Sequence, residues 1–171
     1  MINFLQKSLL FVCVLFVQIF FVDQIDLGGW NNYFSPLIYG IIIIFLQPSI
    51  ELWIVMLIAL LMGLGVDLFR NTIGLHISSL VFVAFFKYSF LNFIFPRDDY
   101  DQLKDLNIFN LGWSNYLLYT GVMLFVHHLW FYSIEDFHFN KFPFLILKAF
   151  LNSLIALAVF IFIYFINPKR K

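Results

Sequence analysis

The chain has 171 residues, no net charge and a single cysteine, Cys13. Hydrophobic residues make up 63% of it and charged residues 12%, whereas soluble domains carry roughly 25% charged residues. This composition excludes a soluble globular domain, and the zero net charge gives no indication of a nucleic-acid partner. We therefore expect an all-α integral membrane protein, a single polytopic domain over residues 1–171 whose main contact is the lipid bilayer.

Six apolar runs follow one another along the chain, and all five prolines fall at their edges. Proline fits the first turn of a helix or the position after its end, so the prolines support the same division as hydropathy does. The predicted transmembrane helices are 5–22, 34–47, 50–69, 73–95, 113–134 and 142–166. No small-residue cleavage site follows the first run, so we expect it to be an uncleaved span.

The second run is the shortest of the six. Its apolar part extends from Pro36 to Leu46 and is followed by Gln47-Pro48-Ser49. An apolar run of about 10–14 residues is short for a bilayer-crossing helix and is also typical of a re-entrant segment. Both alternatives remain open for this run, and six crossings are favoured by the charges described next.

Basic residues near the span ends predict the orientation. With six spans, one side of the membrane receives Lys7, Arg97, Lys104, Lys169, Arg170 and Lys171, and the other receives Arg70 and Lys141. Lysine and arginine are enriched on the cytoplasmic side of membrane proteins. We therefore predict a multi-pass protein with both termini in the cytoplasm.

The stretch from Gly63 to His76 joins the third and fourth runs and contains two opposite charges, Asp67 and Arg70. An ionisable group inside a membrane span is costly unless it is paired or faces a polar interior. Residues three apart on a helix share a face. We therefore expect Asp67 to pair with Arg70 or with a group on an adjacent span.

Two glycines of this stretch have predicted structural roles. Gly63 lies one turn before Asp67 and carries no side chain, so another backbone can approach there. Gly74 supplies backbone freedom for the turn into the next span. Two interpretations remain open: the stretch closes a hairpin between two membrane helices, or it is a docking or switching site for a partner.

Polar residues inside the fourth and fifth runs predict an intramembrane polar seam. His76, Ser79 and Lys87 recur at helical spacing, although Lys87 has the alternative of snorkelling to the surface. His127 and His128 lie deep in the fifth run, and neighbours on a helix point about 100° apart. A metal pair on a helix needs i, i+4 spacing, so we predict helix contacts from these histidines and no metal site.

Catalysis is not indicated by any motif. The sequence has no glycine-rich phosphate loop, no Ser-His-Asp order with supporting loops and no paired carboxylates in a polar cleft. A catalytic site needs a preorganised pocket that water can reach, and the predicted outer loops are short. We expect a protein that is not an enzyme, without catalytic residues and without a cofactor.

The pattern Gly63-x-Gly-x-Asp67-x-x-Arg70-Asn-Thr-x-Gly74-x-His76 resembles the rod shape-determining protein MreD family. The block 60–86 looks most like members from Bacteroidota. The resemblance extends over most of the chain in span layout and over this block in motif, and the short second run departs from it. It implies six transmembrane helices in a fold like that of the substrate-binding subunit of energy-coupling-factor transporters.

The resemblance also implies a function. Members of the family are non-enzymatic scaffolds or regulators of the bacterial cell-elongation (rod) complex in the inner membrane, and help determine cell shape by organising peptidoglycan synthesis. The implied partner is MreC and, through it, RodA, a penicillin-binding transpeptidase and MreB. The residues expected to form the partner or structural motif are Gly63, Asp67, Arg70, Gly74 and His76.

A small-solute binding subunit of a membrane transporter, for a vitamin or a metal, is the alternative function. It predicts a ligand pocket that opens outward and is lined by aromatic and polar residues. The expected lining residues are Trp30, Tyr33, His76 and Trp113.

Overall fold

Apolar helices account for most of the fold. The computed structural model describes residues 4–26, 28–30, 33–95, 106, 108–137 and 142–166, and all regular structure in that part of the chain is helical. Its α-helices are α1 (Phe4–Phe20), α2 (Ile41–Ile44), α3 (Leu52–Arg70), α4 (Leu75–Ile94), α5 (Ile108–Glu135) and α6 (Phe142–Ile166). The last four are long and apolar enough to cross a membrane, as expected for an all-α membrane-embedded protein.

Five predicted spans form helices close to their predicted bounds. The bounds of α3, α4 and α6 lie within two residues of the predicted 50–69, 73–95 and 142–166. Helix α1, with 17 residues, also begins and ends within two residues of the predicted 5–22. Helix α5 starts before the predicted residue 113, but Gly112 has φ 73° and ψ 156°, which breaks it there. Hydropathy and the proline positions were therefore sufficient to place these helices.

The predicted transmembrane helix over residues 34–47 is wrong. Only Ile41–Ile44 is helical there, and the residues around it are extended or in turns. Pro36 cannot donate a backbone hydrogen bond, Gly40 is a poor helix former and β-branched isoleucines are stiff at χ1. The run is apolar because it is buried: Leu37 and Ile43 have almost no exposed surface.

Residues 33–50, called the core segment below, pass through most of the height of the helix bundle. Near its start, the Ser35 hydroxyl lies 3.0 Å from the Tyr132 hydroxyl, and further along, the Phe45 and Tyr116 rings are 5.4 Å apart. Tyr116 and Tyr132 are separated on α5 by about 24 Å at 1.5 Å per residue. The core segment therefore runs antiparallel to α5 from one end of the bundle towards the other, and does not turn back as a re-entrant segment would.

The helices pack around the core segment in chain order. Helix α3 lies along α4, α4 along α5 and α5 along α6, while α1 contacts α3. The short α2 packs against α3, α4 and α5. The end of the bundle at which α3 ends is called the Arg70 end below; α4 starts there, and α5 also ends there.

Candidate functional site

The carboxylate of Asp67 holds the start of α4. Asp67 lies in the last turn of α3 and is only 5% exposed. Its Oδ1 accepts hydrogen bonds from the backbone N–H of His76 at 3.1 Å and from the Thr72 hydroxyl at 2.7 Å. Its Oδ2 accepts one from the backbone N–H of Ile77 at 3.1 Å. The first N–H groups of a helix lack partners within it and attract negative charge, so Asp67 caps α4 from the preceding helix.

Arg70 does not pair with Asp67. Its Nε lies 3.4 Å from Oδ2 of Asp23, just beyond α1, and its Nη1 lies 3.5 Å from Nε2 of His76. Both oxygens of Asp67 are already occupied by donors from the turn and from α4. The expected partner on an adjacent span is thus confirmed for Asp67, and the expected pairing with Arg70 is wrong.

Gly63 brings the backbones of α3 and α4 into contact. A Cβ atom at this position would lie 2.4 Å from Ile77 Cα and 2.6 Å from Ile77 N, closer than any side chain permits. Gly65, on the same helix, has no neighbouring atom within 4 Å of such a Cβ. The prediction that another backbone approaches at Gly63 is confirmed, and that backbone belongs to the helix that Asp67 caps.

Two left-handed residues make the turn between α3 and α4. Asn71 ends α3 with φ 53°, and Gly74 precedes α4 with φ 79°. Asparagine tolerates this region better than most residues, and glycine enters it without steric cost. The predicted role of Gly74 in the turn is confirmed, and the stretch as a whole closes a hairpin between two membrane helices.

His76 connects this hairpin to the core segment. Its ring is fully buried, and Nδ1 lies 2.5 Å from the Tyr39 hydroxyl. The ring centroid is 4.8 Å from that of Phe131 on α5. The motif residues therefore meet at the Arg70 end, where α3, α4, α5 and the core segment converge.

The polar seam of α4 faces the protein interior. The Ser79 hydroxyl is buried and donates to the His76 carbonyl of its own helix at 3.1 Å. Lys87 is fully buried and its Nζ donates to the carbonyls of Ile43 at 3.3 Å and Leu46 at 2.5 Å. A cation is favourable at the carbonyl end of a helix, here the short α2. Lys87 thus follows the predicted seam and does not snorkel.

His128 binds the backbone of the core segment. Its Nε2 accepts a hydrogen bond from the Leu37 N–H at 3.0 Å, and its Nδ1 lies 2.8 Å from the Leu124 carbonyl oxygen. This network assigns the proton to Nδ1, because Nε2 faces a donor. The side chain therefore replaces the carbonyl that a helical neighbour would have offered to Leu37.

Asn152 and Tyr132 hold the beginning of the core segment. Oδ1 of Asn152 accepts from the Ser35 N–H at 2.8 Å, and Nδ2 donates to the Tyr33 carbonyl at 2.7 Å. The Tyr132 hydroxyl donates to the Ser35 carbonyl at 2.6 Å. One amide and one phenol thereby satisfy three backbone groups that belong to no helix.

Two further side chains complete this pattern. Gln18 of α1 accepts from the Ile38 N–H at 2.7 Å and donates to the Pro36 carbonyl at 3.1 Å. The Tyr119 hydroxyl donates to the Ile44 carbonyl at 2.7 Å. Non-helical backbone at membrane depth must be satisfied inside the protein. Side chains from α1, α4, α5 and α6 do this for the core segment.

His127 is buried beside the core segment without a hydrogen bond. Neither ring nitrogen has a partner among the described residues. The ring lies against Gly40, where a Cβ would be 2.6 Å from Cε1 and Nδ1 of the imidazole, and it is perpendicular to the Tyr39 ring at 5.4 Å. His127 therefore faces the interior as the predicted seam requires, but its contact with the core segment is packing.

A cleft of about 410 Å³, called the Arg70 cleft below, opens at the Arg70 end. Its walls include Ser35, Leu37, Arg70, Phe131, Glu135 and Lys148. Nζ of Lys148 lies 3.6 Å from Oε2 of Glu135 and 4.2 Å from the centre of the Tyr132 ring. None of the expected pocket residues Trp30, Tyr33, His76 and Trp113 is among its lining residues, so that expected lining is wrong for this cleft.

Most polar side chains in the described interior hold the backbone in position. In the described part of the chain, no group of three or more His, Cys, Asp or Glu side chains is placed to hold a metal ion. Cys13 is exposed on α1. The carboxylate, amide, imidazole and ammonium groups of the interior mostly bind main-chain atoms, which makes the site structural in chemistry.

Sequence reasoning missed Gln18, Asp23 and Tyr39. Gln18 is the one polar side chain in the run from Leu9 to Val22, and a lone amide inside an apolar span indicates a hydrogen-bond partner nearby. That signal was available. Asp23 and Tyr39 gave none, because nothing in their local sequence indicates that they meet Arg70 and His76.

Comparison of the chain with family models, with curated proteins and with solved structures finds no match.

Proposed function

We propose that the chain is a non-enzymatic scaffold of the bacterial cell-elongation complex, of the MreD type, which helps determine cell shape by organising peptidoglycan synthesis with MreC. The observation that carries the proposal is that the motif residues build the hairpin of α3 and α4. Asp67 caps α4, Gly63 admits the α4 backbone and Gly74 makes the turn. A motif used in this way builds a fixed hairpin, which suits a subunit that presents surfaces to partners.

The outer face of α3 supports the same proposal. Trp53, Leu57, Leu61, Leu64 and Leu68 recur every three or four residues and are all exposed. Such a stripe faces either lipid or the membrane helix of a partner. In the proposed complex this hairpin is where a membrane helix of MreC packs, with RodA, the penicillin-binding transpeptidase and MreB joined through MreC.

The proposal includes an inner-membrane location with both termini in the cytoplasm. Helix α1, the four long helices and the core segment make an even number of passages between the two ends of the bundle, which supports termini on one side. The basic residues expected at the cytoplasmic ends, such as Lys7 and Lys169, lie outside the residues whose side chains the structure describes. A likeness to the substrate-binding subunit of energy-coupling-factor transporters remains part of this proposal.

Copurification tests the proposed function. A tagged copy isolated from native membranes should bring MreC with it, together with smaller amounts of RodA and the transpeptidase. Depletion in a rod-shaped host should give round, swollen cells, because sidewall synthesis loses its organisation. Normal rods after complete depletion, with MreC absent from the purified material, would contradict the scaffold.

The Arg70 cleft favours a second candidate, the solute-binding subunit of a membrane transporter. A cleft of about 410 Å³ falls in the range of ligand pockets, roughly 300–1,000 Å³, and it combines apolar walls with charged groups. Neighbouring genes for vitamin or metal uptake would support this candidate, and neighbouring cell-wall genes would support the scaffold. Impaired uptake of one nutrient after depletion, with normal cell shape, would decide for the transporter.

A further inference from the structure

The Arg70 cleft lies at the end of the bundle where α3 and α5 end and α6 begins. Helix α3 ends at Arg70, α5 ends at Glu135 and α6 begins at Phe142. Lys148 is six residues inside α6, about 9 Å along the helix at 1.5 Å per residue. Since the hydrocarbon core of a bilayer is about 30 Å thick, the ends of helices that cross it lie in the polar headgroup layer.

The cations of the cleft have hydrogen-bonding capacity to spare. Arg70 has five N–H donors, and its contacts to Asp23 and His76 are 3.4 and 3.5 Å long. The contact between Lys148 and Glu135 is 3.6 Å. Charge-assisted N–H···O bonds are normally about 2.7–2.9 Å long, so these ion pairs are loose. Both cations can therefore bind an additional oxyanion without giving up a tight partner.

The cleft also presents negative charge. The Glu135 side chain is 42% exposed and, together with Asp136, lines the same space as the two cations. Leu37 and Phe131 supply apolar wall between the charged groups. A ligand that matches these walls carries an anionic group for Arg70 and Lys148 and a cationic group for Glu135.

We propose that the Arg70 cleft binds the headgroup of a zwitterionic phospholipid that has a primary amine, phosphatidylethanolamine. Its phosphate lies against Arg70 and Lys148, and its ammonium group donates to Glu135. The headgroup chemistry exists both in the lipid and in free phosphoethanolamine; the position at membrane depth favours the lipid.

This inference goes beyond the scaffold proposal and does not depend on it, because a scaffold and a transporter subunit can both bind a lipid. Its test uses no partner protein, so its failure leaves the scaffold proposal untouched. A failed copurification with MreC likewise leaves the lipid site standing.

Native mass spectrometry of the full chain tests the site. The detergent-purified protein is mixed with equal amounts of phosphatidylethanolamine, phosphatidylcholine and phosphatidylglycerol, and the retained lipid is identified. The wild type should retain phosphatidylethanolamine preferentially. Lys148→Met should lower retention about tenfold, equivalent to the loss of one charge-assisted hydrogen bond, while Lys148→Arg should retain the lipid.

Glu135→Gln tests the recognition of the amine. It should abolish the preference for phosphatidylethanolamine over phosphatidylcholine, since a quaternary ammonium has no N–H to donate, and should leave total lipid retention unchanged. Glu51→Gln is the matched control, because Glu51 is an exposed carboxylate at the start of α3, at the other end of the bundle, where it bonds Trp53. Gel filtration and thermal unfolding of each variant verify that it is folded.

Three results would overturn the proposal. Equal retention of phosphatidylethanolamine and phosphatidylcholine by the wild type would show that the amine is not recognised. Preferential retention of phosphatidylglycerol would show a site for anions alone. Free phosphoethanolamine or inorganic phosphate that binds the delipidated protein as tightly as the lipid does would assign the cleft to a soluble ligand.

Discussion

The imidazole Nε2 of His128 and the backbone N–H of Leu37 meet at 3.0 Å, although the two residues are 91 positions apart in sequence. In a transmembrane helix the partner of that N–H would be a carbonyl four residues earlier. Here a side chain from another helix supplies the acceptor. Side chains take the place of backbone hydrogen-bond partners in this way along the core segment. This explains how an apolar, largely non-helical stretch is stable inside a membrane protein.

Replacing Asn152 should loosen the start of the core segment. Asn152→Leu removes the partners of the Ser35 N–H and the Tyr33 carbonyl, and each buried group left without a partner costs about 1–3 kcal/mol. We expect faster amide hydrogen exchange in residues 33–38 and a lower unfolding temperature. Ser153→Ala is the matched control, since the Ser153 hydroxyl donates only to Phe150 of its own helix. Equal exchange in both variants would contradict the role given to Asn152.

Replacing Asp67 should destabilise the hairpin of α3 and α4. Asp67→Ala leaves the N–H groups of His76 and Ile77 without their acceptor, and loss of a helix cap costs about 0.5–2 kcal/mol. Asp67→Asn keeps one acceptor oxygen and should be milder. The measurement is the free energy of unfolding in mixed micelles, together with the amount of protein that accumulates in the membrane.

A double-mutant cycle separates the two possible partners of Arg70. The coupling free energy of Arg70 with Asp23 should exceed that of Arg70 with Asp67, because the first pair is in contact at 3.4 Å while the second is not. Strong coupling between Asp67 and Arg70, with none between Asp23 and Arg70, would restore the pairing expected from helical spacing alone.

Gly63→Ala should disrupt the contact between α3 and α4. The added Cβ would overlap Ile77 backbone atoms, and overpacking of this kind costs about 1–3 kcal/mol. Gly65→Ala lies two residues away, meets no atom within 4 Å and should leave the stability unchanged or slightly higher. Thermal unfolding of the two variants in the same detergent checks this, and an unchanged midpoint for Gly63→Ala would refute the close approach.

Lys87→Met should release the end of α2. The substitution preserves much of the apolar stem but leaves the Leu46 carbonyl without its donor, at a cost of about 1–3 kcal/mol, while the Ile43 carbonyl keeps the Leu46 N–H. Ser79→Ala, on the same buried face of α4, should cost less because it removes a neutral hydroxyl that donates to a carbonyl of its own helix. If both variants unfold at the same temperature, Lys87 does not hold α2.

The topology gives a test with fused reporters. A reporter active only outside the cytoplasm should be silent when fused after Lys171 and active when inserted between Glu135 and Phe142. The physical reason is the excess of basic residues on the side assigned to the termini. Activity of the fusion after Lys171 would reverse the orientation or change the number of crossings.

Local sequence sufficed where the structural requirement is itself local. The bounds of α3 and α6 follow from hydropathy, the close contact at Gly63 from its missing side chain, and the turn at Gly74 from its backbone freedom. The conformation of the core segment could not be predicted in this way, because an apolar run indicates that residues are buried but not which groups bind their backbone. Helical spacing showed that Asp67 and Arg70 share a face. It could not show that the first backbone N–H groups of α4 donate to Asp67.

The ribosome completes residues 33–50 well before it makes the side chains that hold them. The Ser35 N–H receives its acceptor only when Asn152 emerges, 117 residues later, on the order of ten seconds at about 5–20 residues per second. Until then the apolar stretch carries main-chain amides that lipid cannot satisfy. The core segment is therefore completed last, when α6 is made, and a chain that stops after α5 leaves the start of this segment without its partners.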